Sequence, residues 1–156
     1  MFGNDAGPVR RPLSAEVEGL PLAECWDVLR AAPHGRLAVL DADGAPDVFP
    51  VTHLVHDDQL FVRSGPGAKL VAIARDDRVA FEVDGLEGGL AWSVVVRGTA
   101  RRLDADDEIE ASGILDLVSA MPTEKFVFLQ ITPAHIDGRR FRVASGAARD
   151  SRHPAP

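Results

Sequence analysis

Arg63, Ser64 and Lys69 stand around Gly65-Pro66-Gly67, a tight turn between an apolar segment and a second one with helical spacing. Two cations, a hydroxyl and the N–H groups of a glycine turn at a helix start form a pocket for an anion, and a phosphate suits such donors. The spaced glycines of a P-loop or a dinucleotide fingerprint are missing. A plain helix start with two solvated cations fits the same residues, so the surrounding elements must decide between the two.

Other residues offer chemistry of different kinds. Pro50 interrupts the apolar run Phe49-Pro50-Val51-Thr52. Proline cannot donate to a strand ladder, so it marks an edge or an interruption where nearby backbone groups can bond something else. Protection of an edge against aggregation is the alternative. Trp92 and Ser93 open a long apolar run after Gly88-Gly89; the indole can pack in the core, lie on a flat ring or meet a second chain.

The five histidines build no metal site in the sequence: His53 and His56 are three apart and face opposite sides of a strand, and His34, His135 and His153 are isolated. Asp41-Ala-Asp-Gly44 lacks the later acidic ligands of a calcium loop and reads as a hairpin turn. There is no Gly-x-Ser-x-Gly elbow, and Cys25 falls on an apolar helix face, the usual setting of an inert cysteine. The carboxylates between 104 and 110 read as a solvated helix N-terminus rather than an acid/base pair.

The elements that must position these residues follow from periodicity. Leu22, Cys25, Trp26 and Leu29 make a short amphipathic helix after Pro21. Apolar runs at 35–41 and 46–55 flank an Asp-Gly turn, and a second turn at 56–58 leads into Gln59–Ser64, giving three antiparallel strands. Leu70, Val71, Ile73 and Ala74 predict a second helix, 78–85 and 90–103 two more strands, and 104–121 a third helix whose carboxylates favour its start. The segment 125–143 predicts a strand, a turn at Asp137-Gly138 and a short closing strand. Hairpin connections without regular βαβα alternation point to a mainly β protein, an antiparallel barrel with inserted helices. Residues 1–18 and 145–156 carry no apolar periodicity and are expected to be flexible tails around one domain, 19–144.

The 156 residues fit a single domain with a real core. A net charge of −7 argues against duplex nucleic acid or anionic lipid as partner. One cysteine excludes an internal disulfide and is consistent with a reducing compartment. Neither a signal-peptide pattern nor a run of about 18 apolar residues occurs, so a soluble, cytoplasmic protein is expected.

Taken in order, Gly35–Val55, Leu60–Gly85 and Trp92–Leu103 resemble the pyridoxamine 5′-phosphate oxidase-like, FMN-binding split β-barrel family. The resemblance implies a six-stranded antiparallel Greek-key barrel, a homodimer and two flavin sites in the dimer cleft. By motif match it assigns Arg63, Ser64 and Lys69 to the flavin phosphate. Phe49, Pro50, Val51 and Thr52 would line the isoalloxazine ring, and Trp92 and Ser93 would reach the cofactor of the other subunit. Ser64 stands where a threonine is more familiar, and Thr52-His53 where an asparagine-tyrosine pair is. The basic and aromatic C-terminal set that holds pyridoxal phosphate in the true oxidases is not found; Arg139 and Arg140 are its only candidates. The implied activity is FMN-dependent oxidation or reduction of a small molecule, with the redox chemistry on the flavin and no catalytic acid or base required. The deazaflavin F420 in the same barrel, or a non-enzymatic flavin or haem binder, are the alternatives.

Overall fold

The computed structural model describes residues 17–116 and 127–143. Its elements run β1 (Val17–Gly19), α1 (Leu22–Ala31), β2 (Gly35–Leu40), β3 (Pro46–His56), β4 (Gln59–Ser64), α2 (Ala68–Arg75), β5 (Arg78–Glu87), β6 (Leu90–Leu103), α3 (Asp106–Ser112), a 3₁₀ turn (Ile114–Asp116) and β7 (Val127–Arg142). The strand connections have the chemistry that tight turns demand. Asp41 Oδ1 accepts the N–H groups of Asp43 and Ala45, both at 2.9 Å, and Gly44 takes a φ of 77°. Asp57 and Asp58 both have positive φ, as do Gly88 and Gly89; such pairs match the twist of a two-residue hairpin.

The sheet is antiparallel, in the order β1-β7-β4-β3-β2-β5-β6, and β6 also pairs with β7. That last pairing closes β2 through β7 into a ring and leaves β1 on its outside against β7. Alternation along each strand then separates an inner from an outer face. Leu37, Leu60, Val62, Phe81, Val94 and Leu129 are buried inside, and α1 covers this core with Trp26 and Leu29. A smaller cluster of Phe61, Leu103 and Ile114 lies on the outer face, where α3 and the 3₁₀ turn cover the barrel wall.

The barrel agrees with the mainly β, antiparallel expectation, and four details differ. No turn occurs at Asp137-Gly138: β7 continues through both, with Asp137 opposite Val95 and Gly138 opposite Val94. The glycine serves packing, since a Cβ there would overlap Cys25 Sγ of α1. Val17 and Glu18, expected in the N-terminal tail, pair with Phe141 and Arg140; all three β1 residues are exposed, so no apolar alternation betrays the strand. Helix α3 ends at Ser112 because Gly113 turns left-handed with a φ of 76°; the expected extension over 117–121 lies outside the described residues. In α2 the buried residues are Ala72 and Ile73, while Val71 points to solvent.

Candidate functional site

Strand β4 ends at Ser64, and α2 begins after Gly67 with no side-chain cap and no acidic residue in its first turn. The first N–H groups of a helix lack intrahelical partners and carry the positive end of its dipole. A Cβ at Gly65 or Gly67 would meet nothing within 4 Å, so a group from outside can approach this backbone closely. The donor set and the open turn fit a phosphate.

The side chains around the turn are already organised. Ser64 is buried; its hydroxyl donates to the Gly65 carbonyl at 2.9 Å and accepts from Lys69 Nζ at 2.5 Å. The same ammonium lies 5.0 Å from the centre of the Phe49 ring. Burial pushes the Lys69 pKa below its ordinary value of 10.5. Arg63 pairs in register with Thr52 of β3 and Phe128 of β7.

Strand β3 changes partner beside this turn. Residues 46–51 pair with β2, whereas 52–56 pair with β4. Pro50, which cannot donate to a ladder, pairs in register with Arg36 of β2 just before the change, and β4 takes over from Thr52 onward. Alternation puts Pro50, Thr52 and Arg63 on the outer face and Phe49, Val51 and Ser64 on the inner one. Arg36, which no sequence motif singled out, stands opposite Pro50 and donates to Glu82 at 2.9 Å and Asp84 at 2.7 Å. Its position is legible only once β2 and β3 are known to pair.

Trp92 and Ser93 are not brought to this place. Both lie on β6, and in the ring β6 is three strands from β3 in either direction. Trp92 is partly buried and packs on the main core, its indole filling the space over Gly85. Of the two arginines considered for a pyridoxal phosphate site, Arg139 pairs with Asp137, and Arg140 with Glu18 and Glu24. A groove of about 300 Å³ beside α3 includes Gln59, Gln130, Arg101 and Glu108 in its lining; no sequence motif marks any of them as a site residue.

The model of the family described as pyridoxamine 5′-phosphate oxidase matches residues 21–140. The chain belongs to the pyridoxamine 5′-phosphate oxidase family. Among solved structures, one from Corynebacterium glutamicum with the same family description has a TM-score of 0.74 at 35% identity, covering 82% of this chain and 100% of that one. An FAD binding protein from Mycobacterium smegmatis has a TM-score of 0.66 at 31% identity, covering 80% and 98%. Among curated proteins, a 5a,11a-dehydrotetracycline/5a,11a-dehydrooxytetracycline reductase from Streptomyces rimosus is 34% identical over 83 residues, 48% of this chain and 58% of the reductase. The match thus spans less than two thirds of that reductase. No helix among the described residues of this family member is long and apolar enough to cross a membrane.

Proposed function

We propose that the chain is a flavin-dependent oxidoreductase acting on a small organic molecule, with FMN as its cofactor. The single observation that carries this reading is the turn from Arg63 to Lys69: an uncapped helix start, an open glycine backbone and two cations at the edge of a barrel of this family. Bound there, FMN supplies the redox chemistry by taking up and passing on a hydride or electrons. Arg63 and Lys69 neutralise the phosphate, and the N–H groups that start α2 donate to it. The backbone of Pro50, Val51 and Thr52, where β3 changes partner, holds the edge of the ring.

The site is completed by a second copy of the chain. Trp92 and Ser93 lie three strands from Phe49–Thr52 in the ring, which favours a site that takes these two residues from the other copy. Support for this homodimer comes from an apolar row on the outer face, in which Leu86, Ala91, Phe141 and Val17 are register neighbours on four adjacent strands. Leu86, Phe141 and Val17 are exposed in the single chain, and such contiguous apolar surface marks interaction sites.

Similarity to a reductase favours reduction as the direction of the chemistry. Similarity to an FAD binding protein makes FAD the second cofactor reading, and F420 is the third. Titration of the purified protein with FMN, FAD and F420 in turn, followed by visible absorbance, tests the assignment. Saturable binding with FMN tightest is expected, and no saturable binding of any of the three would contradict it. Bleaching of the bound flavin by NADPH or another donor, and its return with an organic acceptor, is expected of an enzyme; tight binding without bleaching would make the chain a flavin carrier.

A further inference from the structure

The chain carries 17 basic residues, and only two of them, Lys69 and Lys125, are lysines. Elsewhere arginine is used, including for the ion pairs on the barrel wall. Lys69 differs from those arginines in more than its type. Among the described residues no carboxylate pairs with it, and its ammonium is held instead by the Ser64 hydroxyl and the face of the Phe49 ring. The Ser64 proton is committed to the Gly65 carbonyl, so the oxygen presents a lone pair to Lys69. A compact ammonium has three donors, so Lys69 can donate to the Ser64 hydroxyl, lie over the Phe49 ring and still offer a donor to a ligand.

The position of Phe49 has a further consequence. It is opposite Leu37 on the inner side of β3 and packs against the core, one residue away from the outer-face Pro50. Its ring therefore faces Lys69 and not the surface where Pro50 and Thr52 lie. We infer that Phe49 is a positioning residue of the phosphate turn, which together with Ser64 fixes the Lys69 ammonium before any ligand arrives, rather than a contact of the flavin ring. A long side chain held in place beforehand loses less freedom on binding, and this raises affinity for the ligand group it meets. The ligand selected by this arrangement is the phosphate of a phosphorylated flavin, so the inference rests on the phosphate reading of the turn.

The test compares FMN with riboflavin, which has the same ring and no phosphate, by quenching of flavin fluorescence. In the wild type FMN should bind more tightly than riboflavin. Phe49→Leu keeps an apolar side chain but removes the aromatic face, and should weaken FMN by roughly 2- to 30-fold, the range of a cation–π contact, with riboflavin unchanged. Phe49→Tyr should restore FMN binding. Equal losses for FMN and riboflavin in Phe49→Leu, or no loss for either, would overturn the positioning role. Equal affinity of the wild type for the two ligands would instead overturn the phosphate reading on which that role depends.

Discussion

Helices α2 and α3 begin in opposite ways within one chain. Neither has a side-chain cap at its N-terminus. α3 places Asp106, Asp107 and Glu108 in its first turn, answering the helix dipole with its own carboxylates, and Glu108 also binds Arg101 at 2.8 Å. α2 has no acid in its first turn and adds Lys69 to a site that is already positive. An acidic chain with 24 carboxylate residues had no shortage of groups to place there. The difference is what the proposed reading requires: the start of α2 leaves its positive end for an anion from outside, whereas the start of α3 is met by carboxylates of its own.

The strongest way to break this contrast is to remove the positive groups. Arg63→Ala combined with Lys69→Ala deletes two charge-assisted contacts, each typically about 1.5–3 kcal/mol. FMN affinity should fall at least about 100-fold while the circular dichroism spectrum stays that of the wild type; unchanged affinity would remove the turn from the site. A smaller effect is expected when α2 is made to resemble α3. Gly67→Asp places a carboxylate at the helix start, where a Cβ meets open space. The ligand-free protein should gain about 0.3–1 kcal/mol while FMN binds several-fold more weakly, as read by thermal melting and titration; a gain in both would show that the positive end is not reserved for a ligand.

The pH dependence sharpens the same point. Burial lowers the folded pKa of Lys69 below 10.5, so in alkali the folded chain releases this proton before the unfolded chain does. Between the folded pKa and 10.5 the unfolded state holds more of the proton, and this group's contribution to folding stability rises with pH. FMN affinity should move the other way, falling as Lys69 loses its charge at a lower pH than an ordinary lysine would. Titrations across that range check both signs. The smallest effect is expected at α3: Asp106→Asn should slightly lower the melting temperature and leave FMN binding unchanged.

Much of the barrel was legible because its turns are local. The Asp43-Gly44 and Gly88-Gly89 pairs and the Asp57-Asp58 turn sit between apolar runs, all but Asp43 taking the positive φ that tight hairpins need, and the alternation in Gly35–Leu40 shows which face is buried. Gly138 misled because its reason is distant: it makes room for Cys25 of α1, and nothing in its neighbours in sequence says so. The cluster proposed as a phosphate turn was visible in the sequence because its cations, hydroxyl and glycines are adjacent there. The contact between Lys69 and the Phe49 ring was not, because it joins α2 to β3, twenty residues apart. Nor was the separation of Trp92 from Phe49, which follows from the strand order β3-β2-β5-β6.

The central claim is that the turn from Arg63 to Lys69 holds the phosphate of a flavin. Calorimetric titration of the wild-type protein with FMN and with riboflavin measures this directly. The account predicts one FMN per chain, bound at least about 100-fold more tightly than riboflavin, as the loss of two charge-assisted contacts requires. Equal affinity for the two ligands would contradict it.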